Sequence, residues 1–136
     1  MVSRDEYCNK TILVVEDDED SRNTICTMLE AFGFKFISFP SGKAALEGLR
    51  GKTVDLALLD IMMPEMSGYE LLEKLREWES FATTPVIMVT AKDQDSEILE
   101  GYQHGADYYI TKPFTAKQLE YGLRMFLFEE DLEPGS

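Results

Sequence analysis

The chain has 136 residues, 44% hydrophobic and 29% charged, the balance of one globular domain with a sizeable core rather than of a disordered segment. Its 26 acidic and 13 basic residues leave a net charge of -13, which argues against direct binding to nucleic acid or to an anionic membrane surface. No apolar stretch nears the roughly 20 residues of a bilayer span, residues 1–10 are too polar for a secretory signal, and two cysteines without CxxC spacing, Cys8 and Cys26, suit a reducing, cytoplasmic setting.

Residues 11–15 (TILVV) read as a buried strand that runs directly into Glu16-Asp17-Asp18. Over about 20–32, Ile25, Met28, Leu29 and Phe32 make the stripe of an amphipathic helix, with Gly33 as its stop. Residues 35–39 form a short, partly polar strand suited to a sheet edge. Ser41 can cap a second helix over 41–50, with Gly51 beyond it. Residues 56–60 (LALLD) are the third strand, and it ends on Asp60.

A loop over 61–67 contains Pro64, and Leu71, Leu75 and Trp78 lie at helical spacing over 68–78. Pro85 opens a strand at 86–89, where proline is tolerated, and Thr90 follows it. A more polar fourth helix is expected over about 96–104, and a fifth strand over 107–110. Thr111, Lys112 and Pro113 come next, and a last helix starts near Thr115 with Leu119, Leu123 and Phe126 on its apolar side. The run Glu129-Glu130-Asp131 opposes the negative end of a helix dipole, so this helix should fray about there.

Strands alternating with helices give an α/β fold: a five-stranded parallel sheet with five helices on its two faces, doubly wound. No dinucleotide fingerprint is present, so the flavodoxin-like order 2-1-3-4-5 is expected. Strands 1 and 3 are then neighbours at the switch point, which brings Glu16, Asp17 and Asp60 into one pocket beyond the strand ends.

Converging carboxylates repel one another unless a cation neutralises them. Mg²⁺ suits them as a hard ion that takes oxygen ligands and keeps several waters. Glu16, Asp17 and Asp60 would hold it, with the backbone carbonyl of Met62 completing the protein ligands. Asp60 ends a central strand and is the best candidate for covalent attack on a phosphoryl donor. Lys112 would offset charge on the transferring group, and Thr90 could donate a hydroxyl to a phosphoryl oxygen. Asp18 reads as a loop or N-cap residue, and His104 as a surface residue.

Four segments carry a resemblance: ILVVEDD, LLDIMMPEMSG, PVIMVTA and GADYYITKPF, in this order and spacing. Over about residues 11–128 the sequence resembles the CheY-like receiver domain of response regulators in two-component phosphorelay signalling. The resemblance implies Asp60 as phosphoacceptor, Mg²⁺ on Glu16, Asp17, Asp60 and the Met62 carbonyl, and Lys112 as the phosphoryl-binding cation. It further implies Thr90 and Tyr109 as a coupled switch pair and a cis Lys112–Pro113 bond. The donor would be a histidine kinase or histidine phosphotransfer protein. The output would be a changed surface around the fourth helix, fifth strand and last helix, read by a downstream effector protein or a fused output domain.

Such a domain would be a switched binding module, not a turnover enzyme. It would occupy 11–128, with 1–10 as an N-terminal extension and 129–136 as an acidic tail or the start of a linker. The acidic pair is Glu-Asp where Asp-Asp is usual, which keeps both charges; Tyr108 stands where an acidic residue is usual. Met62 and Lys92 would flank the phosphoryl entrance. Three other readings compete. A covalent Mg²⁺ phosphohydrolase would want a second acid two positions after Asp60, where Met62 stands. A degenerate receiver would not need the complete constellation, and a flavin-binding relative would not place acids in its first loop.

Overall fold

The computed structural model describes residues 4–91 and 105–128. Five strands, β1 (Thr11–Val15), β2 (Lys35–Phe39), β3 (Leu56–Asp60), β4 (Val86–Ala91) and β5 (Tyr108–Lys112), form one parallel sheet in the order β2-β1-β3-β4-β5. The helices are α1 (Arg4–Tyr7), α2 (Glu19–Phe32), α3 (Gly42–Gly48), α4 (Gly68–Arg76) and α5 (Ala116–Leu127), with a 3₁₀ turn at Glu79–Phe81. Of the five helices expected to cover the sheet, four are therefore seen. The expected helix over 96–104, with His104, lies outside the described residues, as do Lys92 and the acidic tail from position 129. Among the described residues no helix is long and apolar enough to cross a membrane.

Side-chain alternation divides the core into two layers, one on each face of the sheet. Leu13, Val15, Ala57, Leu59 and Met88 pack with Leu71, Leu72 and Leu75 of α4. Ile12, Val14, Leu58 and Ile87 pack with Ile25 and Leu29 of α2 and with Leu119 and Leu123 of α5. Both faces of β1, β3 and β4 are covered, which is why these strands read as continuous apolar runs. Each fully buried Leu or Ile contributes about 1.5–3 kcal/mol by leaving water.

Caps fix where the helices begin. Asp18 caps α2 by accepting from the Ser21 amide at 2.8 Å, and Ser41 caps α3 through the Ala44 amide at 3.1 Å. Ser67 and Thr115 each close a reciprocal capping box, with Glu70 and Gln118. Several boundaries differ from the sequence reading. α3 ends at Gly48 instead of 50, and α4 at Arg76 instead of 78, where Trp78 leaves the helix to meet Phe81 edge-on at 5.8 Å. β4 continues to Ala91 and β5 to Lys112, because ladder pairing Thr90 with Thr111 and Ala91 with Lys112 carries both strands past their apolar stretch.

The edge of the sheet away from Asp60 is tied by Arg76. Its guanidinium donates to the carbonyls of Phe81 (2.8 Å), Thr84 (2.6 Å) and Gly105 (3.0 Å) and to the Asp107 carboxylate (3.3 Å). The same carboxylate accepts the Val86 amide at 2.8 Å. One planar fork thus joins the end of α4 to the starts of β4 and β5.

Candidate functional site

Glu16 leaves β1 with its amide still bonded to the Phe39 carbonyl (3.2 Å), so the ladder holds its backbone at the strand end. Its carbonyl accepts from Arg22 of α2 at 2.8 Å, a positioning contact the sequence did not reveal. Its carboxylate is buried and accepts the Asp18 amide at 3.3 Å. Asp17 beside it is exposed, and Asp60 is buried at the end of β3. Carboxylate oxygens of Glu16, Asp17 and Asp60 all lie within 4.8 Å of one another. The convergence expected from strand order is therefore present.

The segment after Asp60 turns back over it. Gly68 donates its amide to the Ile61 carbonyl at 2.9 Å, and a Cβ there would sit 2.3 Å from the Asp60 carbonyl oxygen. Only glycine fits that approach. Glu65 takes a left-handed backbone (φ 70°) within the same turn. Met62, two residues after Asp60, is 60% exposed.

Lys112 ends β5 opposite this cluster. Its Nζ donates to Glu16 Oε1 and lies 3.8 Å from Asp60 Oδ1. The Lys112–Pro113 bond is cis, as the family resemblance implied. Three carboxylates thus face one ammonium, and their charges sort accordingly. Burial, then contact with the Glu16 carboxyl and its charge, push the Asp60 carboxyl up to about 8 against the pull of Lys112. Burial also raises Glu16, but its contacts with Asp60 and Lys112 outweigh this and hold it below its ordinary value. Burial lowers Lys112, and the surrounding carboxylates more than reverse that.

Hard oxygen donors with excess negative charge are the donor chemistry that Mg²⁺ takes. The residues present fit such an ion.

Thr90 is buried on β4 and its hydroxyl donates to the Ala91 carbonyl at 3.3 Å. Tyr109 pairs with Met88 across the β4–β5 ladder and packs on the same core layer. Alternation along β4 puts Thr90 on that same face, so the two residues of the expected switch pair share one side of the sheet. Beside Lys112, a cleft of about 450 Å³ opens between α2 (Ser21, Thr24, Ile25, Met28) and the turn after β5 (Pro113, Phe114). Met28, in the apolar stripe of α2 as expected, packs against the core with Ile25 and Leu29 and, half-buried, also lines this cleft.

A family model, response regulator receiver domain, matches residues 12–124. The regulatory protein VanRc of Enterococcus gallinarum is 37% identical over 78% of this chain and 45% of its own length. The chain spans about half the length of the curated relatives it matches. Among solved structures, the chemotaxis protein CheY4 of Vibrio cholerae superposes with a TM-score of 0.82 at 26% identity, covering 87% of this chain and 98% of that one. The receiver domain of sensor histidine kinase PA1611 from Pseudomonas aeruginosa, with a magnesium ion coordinated in its active site cleft, gives 0.80 at 26% identity over 87% of this chain and 97% of its own. With the parallel sheet and the acidic cluster in place, the chain belongs to the response regulator receiver domain family of two-component signalling.

Proposed function

We propose that this receiver accepts a phosphoryl group on Asp60 from a phosphohistidine of a histidine kinase or histidine phosphotransfer protein in the cytoplasm. The observation that carries this reading is the gathering of the Glu16, Asp17 and Asp60 oxygens within 4.8 Å, with Lys112 3.8 Å from Asp60. An Asp60 carboxylate oxygen attacks phosphorus, the P–N bond to the donor imidazole breaks, and the imidazole leaves to take up a proton. The product is an acyl phosphate on Asp60. Glu16, Asp17, Asp60 and the Met62 carbonyl would hold Mg²⁺, which when bound supplies positive charge against the phosphoryl oxygens.

Lys112 contributes the protein's own cation at the same place. The Thr90 hydroxyl, bonded to the Ala91 carbonyl in this structure, turns to a phosphoryl oxygen after transfer. Vacating that position lets Tyr109 move inward on the same face, and the surface around the expected helix over 96–104, β5 and α5 changes for a downstream effector protein or a fused output domain. The cleft between α2 and Phe114 offers apolar contact for the donor protein beside the reacting group. Residues 11–128 form the receiver in this reading, with 1–10 an N-terminal extension and 129–136 an acidic tail or the start of a linker. Nucleic acid and membrane are not partners of so acidic a chain. Met62 stands two positions after Asp60, where a phosphohydrolase would want a second acid, which disfavours rapid turnover.

Incubation with Mg²⁺ and acetyl phosphate, followed by intact-mass measurement, tests this. One added phosphoryl group is expected, lost slowly, and absent in Asp60→Asn. Turnover of many equivalents would favour a phosphohydrolase. No adduct and no metal binding would leave a degenerate receiver.

A further inference from the structure

α1 is a single turn and too short to persist alone in water, yet Tyr7 is 5% exposed. Its ring stacks on Phe34 at 4.4 Å with the planes 8° apart, and on Phe128 at 5.5 Å and 23°. The Tyr7 hydroxyl donates to Glu120 Oε2 of α5 at 2.9 Å, and Lys10 Nζ lies 5.7 Å from the centre of the Phe128 ring. The Lys10 carbonyl accepts the Lys35 amide at 3.1 Å, which ties this segment to the start of β2.

The far end of α5 also rests on the core through Leu127 and through Phe126, whose ring centre lies 5.8 Å from that of Tyr108, but its capping is weak. Its cap residue is Phe128 in extended conformation, with no glycine, and Arg124 is the one basic residue in the last turn. The helix nevertheless continues to Leu127, and Phe128 is the first residue to leave it.

We propose that residues 4–10 are a strap that fixes the end of α5, with Tyr7 and Lys10 holding Phe128 in place and keeping the last turn from fraying. This inference stands apart from the chemistry at Asp60. Aromatic stacking and a cation over a ring supply the hold, and the Tyr7–Glu120 bond sets its register along α5.

Amide hydrogen exchange on the full chain tests it, with trypsin cleavage after Arg124 as a second readout. In Tyr7→Ala, the amides of Leu127 and Phe128 are expected to exchange about tenfold faster, with earlier cleavage at Arg124. The amides of Leu13 and Leu58 should keep their protection. Phe128→Ala removes the opposite ring and should give the same local acceleration at Phe126 and Leu127, which answers the question if Tyr7→Ala does not fold. Unchanged exchange at the end of α5, or protection lost evenly across the sheet, would overturn the proposal.

Discussion

Lys112→Ala is expected to slow phosphoryl uptake from acetyl phosphate by at least about a hundredfold, the usual cost of removing one group that meets charge on a transferring centre. Lys112 is the cation in position to do this, since it already touches Glu16 and stands 3.8 Å from the Asp60 oxygen that would carry the phosphoryl group. Its side chain is 30% exposed, so the ammonium is partly shielded from water and its field on Asp60 is weakly screened. Without it, two buried carboxylates face each other and lose the ammonium that contacts both. Lys112→Arg should restore only part of the rate, because a planar fork cannot stand in for a compact ammonium at the end of β5. The rate of adduct formation at saturating Mg²⁺, followed by quenching and mass, checks this. An unchanged rate would remove Lys112 from the chemistry.

Asp60→Asn should stabilise the metal-free protein at pH 7 to 8, by about 2 kcal/mol once solvent reaching the site is allowed for. The Asp60 carboxyl stands at about 8 in the fold against an ordinary 3.8. Between those values the folded chain holds a proton that the unfolded chain releases, so stability from this group falls as pH rises from about 4 to 8 and is level above. Glu16 works in the opposite sense: held below its ordinary 4.5, it contributes stability above that value and loses it as pH drops further. Lys112 is raised above 10.5 and contributes until the pH climbs past that range. Among these three groups, the slope across pH 5 to 8 therefore belongs to Asp60. Denaturant melts without metal should show stability declining over this window in the native sequence and not in Asp60→Asn. Added Mg²⁺ should stabilise the native sequence more than the variant, and its affinity should weaken as pH falls. Equal pH profiles for the two proteins would contradict this account.

The site was legible because its residues stand where buried strands stop. LVV before Glu16 and LALL before Asp60 are covered on both faces, so the change to carboxylate marks the strand end without any structural knowledge. Lys112 was harder, since β5 is an edge strand whose last two residues, Thr111 and Lys112, are polar and look like loop. Only pairing with Thr90 and Ala91 makes them strand.

Contacts between distant positions could not be read at all. Arg76 looks like any charge in a helix, and its four acceptors come from a turn and two strand starts that the fold alone brings together. Tyr7 sits in a polar decapeptide with no periodicity, and its partners are Phe34, Glu120 and Phe128. Arg22 likewise showed no sign of its bond to the Glu16 carbonyl. Local pattern finds elements and their ends, whereas such long-range clamps depend on the final packing.

Borohydride trapping is the most direct test of phosphoryl transfer to Asp60. Hydride reduces an acyl phosphate to the alcohol with release of phosphate, leaving homoserine where the phosphorylated aspartate stood. After reaction with acetyl phosphate and Mg²⁺, peptide mass mapping should find homoserine at position 60 alone. Reduction at Glu16 or Asp17 instead, or a phosphoryl group carried on His104 with position 60 unmodified, would contradict it.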